Sequence, residues 1–222
     1  MEVNRPTGIK ICGMRRKEDI EAAGRCRPDY IGFILSEGYR RSVEVREARR
    51  LSELLTPGIK VVGVFVDDPI DVIAEACDFL DMVQLHGQED NGYLEKLREA
   101  TGKPLIQAFR IREAGDLERA IQSRADLILL DSGTGTGQSF DWSLIGEIRR
   151  PWILAGGLGP DNVAEAAARF RPFAVDLSSG AETGGWKDPE KKRLCGEAVR
   201  KSAGVPAQDA LTLKTQNLKT LQ

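Results

Sequence analysis

The chain has a single histidine and only four cysteines, and their small number limits the metal sites and disulfides that it can form. Cys12, Cys26, Cys77 and Cys195 lie far apart and form no Cys-x-x-Cys pair, and His86 is the only histidine. This composition argues against zinc sites, iron–sulfur clusters and a disulfide framework. We therefore expect neither a metal site built from Cys and His nor structural disulfides.

A strong net charge and a long apolar run are also missing. The 222 residues include 32 basic and 34 acidic side chains, spread along the chain, with a formal net charge of −2. Neither nucleic acid nor a membrane surface is therefore expected as a partner. Residues 1–8 lack the apolar segment of a signal peptide, and no run approaches the length that spans a bilayer. These absences predict a cytoplasmic location.

No Pro-, Gly- or Ser-rich linker divides the chain, which predicts one domain over residues 1–204. Val205-Pro206 then interrupts the last helical segment. Residues 205–222 contain few large apolar side chains and are predicted to form a poorly ordered C-terminal tail.

Short apolar runs alternate with longer amphipathic segments, which is typical of βα units around a parallel sheet. Eight units, each a strand with a helix, predict an α/β fold, a single (β/α)8 TIM barrel. Helix starts are expected at Pro69, Asp141 and Pro160. An open doubly wound sheet is the alternative, but its G-x-G-x-x-G motif is absent after the first strand. The strands are predicted at residues 9–11, 30–33, 60–66, 82–85, 105–109, 127–130, 152–155 and 174–177.

Two glycine-containing loops, after the seventh and eighth predicted strands, favour a phosphate site. Barrels of this kind usually bind phosphate there, because glycine lets backbone N–H groups approach an anion and a helix N-terminus attracts it. The simpler alternative is that the glycines only permit tight turns. The phosphate-binding residues predicted from these loops are Gly156, Gly157, Ser178, Ser179 and Gly180.

Cys12 and Asp131 end the first and sixth predicted strands, and strand ends converge on one face of a barrel. A thiolate can accept a proton if nearby positive charge lowers its pKa, and a carboxyl group in apolar surroundings can donate one. The glycine-rich loop 132–140 is expected to cover the acid. The alternatives are a core cysteine and a carboxylate that caps this loop.

Arg41 and Gln84 are candidate substrate contacts at the ends of other strands. The Arg41 guanidinium can hold a carboxylate through two parallel hydrogen bonds, but spacing alone does not decide between Arg41 and Arg40. His86 follows Gln84 and is left outside the catalytic set, since no nucleophile motif accompanies it.

Seven motifs, in order between residues 9 and 203, together resemble the phosphoribosylanthranilate isomerases of tryptophan biosynthesis. They are Lys-Ile-Cys-Gly at 10–13, Gly32-Phe33 followed by Arg41, Gln-Leu-His-Gly at 84–87, Leu-Asp-Ser at 130–132, Gly-Thr-Gly at 135–137 with Phe-Asp-Trp at 140–142, Ala-Gly-Gly-Leu at 155–158 with Pro160 and Asn162-Val163, and Val-Asp-Leu-Ser-Ser-Gly-Ala-Glu at 175–182.

The resemblance implies a cofactor-free Amadori rearrangement of N-(5-phosphoribosyl)anthranilate into 1-(2-carboxyphenylamino)-1-deoxyribulose 5-phosphate. It implies Cys12 as the general base, Asp131 as the general acid and Arg41 as the partner of the anthranilate carboxylate. Asp176 would hydrogen-bond near the reacting amine and sugar, and the glycine loops would bind phosphate. The expected partner is this small phosphoribosyl substrate, with the chain a monomer or a homodimer.

Two other functions remain as alternatives. A histidine-pathway isomerase performs the same rearrangement, but such enzymes resemble a barrel with two catalytic aspartates and a second phosphate loop, which this sequence lacks. A catalytically silent sugar-phosphate binder would need the phosphate loops but neither Cys12 nor Asp131.

Overall fold

Eight parallel strands close into a barrel in chain order, with β8 paired to β1. The computed structural model describes residues 6–131 and 141–202, so the predicted cover loop 132–140 and the predicted tail 205–222 lie outside the described residues. The (β/α)8 prediction is confirmed, and each predicted strand occurs within one or two residues of its expected bounds. The strands are β1 Gly8–Cys12, β2 Tyr30–Ile34, β3 Lys60–Phe65, β4 Met82–Leu85, β5 Leu105–Arg110, β6 Leu127–Asp131, β7 Trp152–Leu154 and β8 Ala174–Leu177.

Helices follow seven of the eight strands in the described part of the chain. A short antiparallel hairpin, β9 Glu182–Thr183 and β10 Trp186–Lys187, precedes the last helix. None of the described helices is both long and apolar enough to cross a membrane. The helices are α1 Lys17–Cys26, α2 Val45–Ser52, α3 Ile70–Ala76, α4 Asn91–Thr101, α5 Ala114–Ile121, α6 Val163–Phe170 and α7 Pro189–Ser202.

The prediction of an eighth helix starting at Asp141 is wrong for the described residues 141–151. Asp141 does cap a helical turn, because its carboxylate accepts a hydrogen bond from the Ser143 N–H at 2.9 Å, but the turn is the 3-10 segment Trp142–Leu144. Gly146 is a poor helix former, and Pro151 disfavours helical geometry at the residue before it. The capping signal was therefore present without a sequence that could continue the helix.

Strand side chains alternate between the barrel interior and the surrounding helices. On β1, Ile9 and Ile11 belong to the main apolar cluster between the strands and helices, while Lys10 and Cys12 point inward. The interior has its own apolar cluster, including Tyr30, Val62, Ile106, Leu127, Ile153 and Ala174. This alternation follows from the two-residue period of a strand. It places polar side chains at the carboxyl end of the interior above an apolar floor.

Three aspartates at the opposite, amino-terminal end of the barrel make the same pair of contacts with a neighbouring strand. Asp29, Asp81 and Asp126 each stand one residue before a strand and bond to the start of the preceding strand. Each carboxylate accepts a backbone N–H, from Ile9 at 2.8 Å, Val61 at 2.7 Å and Leu105 at 2.8 Å. The backbone N–H of each aspartate donates to the carbonyl of the same partner residue at 2.8–3.0 Å. We call these three paired contacts the aspartate staples.

Removing one staple should destabilise the fold without touching the other end of the barrel. We expect Asp81→Ala to lower the free energy of unfolding by about 1–3 kcal/mol, since the N–H of Val61 loses its acceptor. Chemical denaturation measures this change. Asp78→Ala, which removes a carboxylate whose ion pair with Arg49 and local backbone hydrogen bonds are exposed, is the control and should change stability less. Equal stability of the Asp81→Ala variant and the unchanged chain would contradict the staple's role.

Candidate active site

A cavity of about 340 Å³ opens at the carboxyl ends of the strands. Its volume lies in the range of small-molecule sites, and its position is where barrel enzymes hold their active sites. All ten residues proposed from the sequence line this one cavity. They are Cys12, Arg41, Gln84, Asp131, Gly156, Gly157, Asp176, Ser178, Ser179 and Gly180.

Cys12 lies in the cavity wall at the end of β1, with 7% of its surface exposed. Burial raises the pKa of its thiol, and the charge of Asp176 raises it further. Lys10 and Lys187 act in the opposite direction, but they do not overcome the cost of burial. The positive charge expected near the thiol is therefore present, while the net effect on the pKa favours the neutral thiol.

Asp131 ends β6 on the cavity wall, and its side chain is 20% exposed. Leu129, two residues earlier on the same face, also lines the cavity and gives the carboxyl group an apolar neighbour. The Nε2 atom of His86 lies 3.5 Å from Asp131 Oδ2. His86, which the sequence analysis left outside the catalytic set, is thus a direct neighbour of the candidate acid.

Arg41, and not Arg40, lines the cavity. The Arg41 side chain is 13% exposed and that of Arg40 is 56% exposed. Gly13 makes this position possible, since a Cβ atom there would lie 2.6 Å from Arg41 Cδ. The geometry thereby distinguishes two arginines that spacing could not.

Glu182 fixes the orientation of Arg41. Its carboxylate accepts hydrogen bonds from Arg41 Nε at 2.6 Å and Nη2 at 3.1 Å, and from Lys187 Nζ at 2.9 Å. Burial opposes the charge of Glu182, but the hydrogen bonds from Arg41, Lys187 and Arg40 outweigh it and lower its pKa to about 2. Glu182 occupies the Nε side of the guanidinium, which leaves the Nη1–Nη2 edge for a second carboxylate.

Gln84 and Asp176 present unused hydrogen-bond acceptors beside the cavity. Within residues 6–131 and 141–202, Gln84 Oε1 and Asp176 Oδ1 are buried polar atoms without a hydrogen bond. The other carboxylate oxygen of Asp176 accepts from Lys10 Nζ at 3.0 Å. Buried acceptors are costly when unpaired, so these two atoms suit a ligand that brings its own hydroxyl or N–H donors.

The two glycine loops touch each other at the edge of the cavity. Gly156 and Gly157 have φ values of 85° and 63°, in the left-handed region that favours glycine. A Cβ atom on Gly180 would lie 2.0 Å from the carbonyl oxygen of Leu158, so only glycine allows the loops to approach this closely.

Asn162 holds the first of these loops and begins the following helix. Its side chain accepts from the Gly159 N–H at 2.9 Å and donates to the Gly157 carbonyl at 3.0 Å. The helix, α6, starts at Val163 and not near Pro160 as predicted, because the loop continues through a turn up to Asn162.

Three residues of the site were missing from the sequence-based set: Lys10, Glu182 and Lys187. Lys10 carried a signal, because a charged residue in an otherwise apolar strand, two positions before Cys12, shares the face of Cys12. Glu182 lay inside one of the quoted motifs, but nothing in the sequence identified Arg41 as its partner. No group of three or more His, Cys, Asp or Glu side chains in the described ranges could hold a metal ion.

Residues 9–197 match the sequence profile described as N-(5′-phosphoribosyl)anthranilate (PRA) isomerase. The chain is 43% identical to the N-(5′-phosphoribosyl)anthranilate isomerase of Endomicrobium trichonymphae over 190 residues, covering 82% of this chain and 93% of the relative.

Solved structures of such isomerases share the fold. One, in complex with reduced 1-(o-carboxyphenylamino)-1-deoxyribulose 5-phosphate, has a TM-score of 0.79 and 35% identity over 88% of this chain and 99% of its own. Another is described as monomers of the dimeric isomerase from Thermotoga maritima. It has a TM-score of 0.78 and 35% identity, covering 90% of this chain and all of the other.

Proposed function

The chain belongs to the family of N-(5′-phosphoribosyl)anthranilate isomerases, and we propose that it performs the reaction of that family with Cys12 as the general base and Asp131 as the general acid. The reaction is the Amadori rearrangement of N-(5-phosphoribosyl)anthranilate to 1-(2-carboxyphenylamino)-1-deoxyribulose 5-phosphate, a step of tryptophan biosynthesis. The observation that carries the proposal is the convergence of a thiol, a carboxyl group and two touching glycine loops on one cavity.

The reaction needs one proton donor and one proton acceptor. As the bond between C1 and the ring oxygen breaks, the nitrogen lone pair forms a C=N bond and Asp131 protonates the departing oxygen. Cys12, as the thiolate, then removes the proton from C2, and the resulting enolamine tautomerises to the ketone. Two groups on different strands can serve the two successive steps, with the base on β1 and the acid on β6.

The remaining cavity residues match the other parts of the substrate. The free edge of the Arg41 guanidinium suits the anthranilate carboxylate, and the unpaired oxygens of Gln84 and Asp176 suit the amine N–H and the sugar hydroxyls. The loops at 156–157 and 178–180 supply backbone N–H groups and serine hydroxyls for the phosphate.

Conversion of the substrate tests the proposed function directly. The purified chain should remove the fluorescence of freshly prepared phosphoribosylanthranilate at a rate proportional to enzyme concentration, without added metal or cofactor. A chain that binds the substrate and leaves its fluorescence unchanged would be a sugar-phosphate binder, which contradicts the proposal.

The carboxylate contact is tested by a matched pair of arginine variants. We expect Arg41→Ala to raise KM about 10- to 100-fold, as expected for loss of charged hydrogen bonds, with a smaller effect on kcat. Arg40→Ala is the control and should change KM little, because this side chain is largely exposed and lies outside the cavity lining. Steady-state kinetics of both variants give the two KM values to be compared. A larger effect for Arg40→Ala would move the carboxylate contact to Arg40.

We also propose that the partner is a small phosphoribosyl substrate, with neither nucleic acid nor a membrane involved, and that the chain is a monomer or a homodimer located in the cytoplasm. Light scattering of the purified chain measures its oligomeric state, and cell fractionation tests its location.

A further inference from the structure

Lys10 is a charged side chain in the interior of the barrel. Its relative exposure is 0%, and it lies two residues before Cys12 on the inward face of β1. Burying an ammonium group is costly unless its charge is compensated, and an apolar side chain would fill the same volume without that cost. A buried lysine beside a reactive group is therefore a candidate for a functional role.

The Lys10 ammonium group lies between Asp176 and Cys12. Lys10 is the register partner of Asp176 on the adjacent strand β8, and Nζ donates to Asp176 Oδ2 at 3.0 Å. A Cβ atom on Gly32 would lie 2.9 Å from Cys12 Sγ and 3.3 Å from Lys10 Nζ, so both atoms lie within 3.3 Å of one point. The missing side chain at Gly32 lets the thiol and the ammonium group share this space.

Several other charged groups surround the Cys12 thiol. Asp176 approaches from β8 and disfavours the thiolate, while Lys187 approaches from β10 and favours it. The ammonium group of Lys187 is already paired with Glu182, which also holds Arg41. Lys10 has the largest effect in favour of the thiolate, and its own pKa is raised by Asp176 and Cys12 despite the opposing effect of burial. Asp176 and the Cys12 thiolate thus both favour the charged form of Lys10.

We propose that Lys10 is a positioning residue for the isomerisation: its ammonium group, held by Asp176, stabilises the thiolate of Cys12 on which proton abstraction depends. This inference rests on the proposed role of Cys12 as the base. The thiol releases its proton to solvent, the thiolate forms beside Nζ, and Lys10 keeps all of its own protons. Asp176 has two tasks in this arrangement, since one oxygen orients the ammonium group and the other, which has no hydrogen bond in the described structure, belongs to a side chain that lines the cavity.

The ionisation of Cys12 can be measured without any substrate. Its rate of alkylation by iodoacetamide, followed by peptide mass spectrometry across the neutral and alkaline pH range, reports the thiolate fraction. In Lys10→Gln, which keeps a polar side chain without the charge, we expect the midpoint of alkylation to move about one pH unit or more towards the alkaline side. The midpoint of kcat/KM should move by the same amount, with KM nearly unchanged.

Lys192→Gln is the matched control. Lys192 is also fully buried, and its Nζ donates to the carbonyl oxygen of Asp19 at 3.1 Å, on the helical side of the barrel. Its replacement should affect stability and leave the alkylation midpoint of Cys12 unchanged.

An unchanged alkylation midpoint in Lys10→Gln would overturn the proposal, as would an equal loss of kcat/KM at every pH, which is the signature of a purely structural role. If Lys10→Gln does not fold, the double variant Lys10→Met with Asp176→Asn is compared with Asp176→Asn alone. Asp176 is neutral in both, so the difference between their alkylation midpoints isolates the charge of Lys10 and should again lie towards the alkaline side. Failure of the proposed function is distinguishable: activity that persists in Cys12→Ala would remove the base role, while alkylation of Cys12 in the unchanged chain and in Lys10→Gln still reports the effect of Lys10.

Discussion

Asp131→Asn is expected to lower kcat/KM by about 10²–10⁴-fold, the usual contribution of a positioned proton donor or acceptor. The amide has nearly the shape of the carboxyl group and keeps an acceptor oxygen, but it cannot protonate the departing ring oxygen. Ring opening would then produce an alkoxide, which raises the barrier of this step. Steady-state kinetics measure the loss, and near-normal kcat would exclude Asp131 as the acid.

Asp126→Asn is the control for this experiment, because Asp126 precedes the same strand at its opposite end. Its carboxylate accepts from the Leu105 N–H as part of an aspartate staple. We expect Asp126→Asn to lower stability and to leave kcat close to that of the unchanged chain, so the two variants separate chemistry from folding on one strand.

Cys12→Ala should produce a loss of similar size, about 10²–10⁴-fold in kcat/KM, because no other group in the cavity wall is proposed to take the C2 proton. Cys77→Ala is the control, a buried cysteine outside the cavity lining. Cys12→Ala should still bind the substrate, since the phosphate loops and Arg41 are intact. Activity that persists in Cys12→Ala would overturn the assignment of the base.

The unchanged chain should also show a defined pH dependence. A general base acts in its deprotonated form, and burial raises the pKa of Cys12 above its ordinary value. The thiolate fraction, and with it kcat/KM, should therefore rise about tenfold per pH unit through the neutral range. The residual rate of Cys12→Ala should lack this rise.

The strands and the positions of the two glycine loops were predictable because local sequence determines them. Short apolar runs bounded by turn residues gave all eight strands, and position after the seventh and eighth strands gave the glycine loops. The absence of an α-helix from the described residues 141–151 was not predicted, since the cap at Asp141 is a local signal whereas Gly146 and Pro151 act further along the chain.

The partners of the site residues were much harder to predict. Glu182 is 141 residues from Arg41 along the chain, and Asp176 is 166 residues from Lys10. Such contacts depend on the closure of the barrel between β8 and β1, which no local pattern encodes. The raised pKa of Cys12 was missed for the same reason, since burial is a property of the whole fold.

The aspartate staples tie strand starts together at the end of the barrel remote from the cavity. The carboxyl end of the barrel should consequently tolerate more substitutions than the amino-terminal end. Loops at the carboxyl ends of the strands can change in length and sequence to accept new substrates while the aspartate staples continue to hold the strands together. A laboratory evolution library confined to those loops should keep most of its members folded, and one directed at the three staples should not.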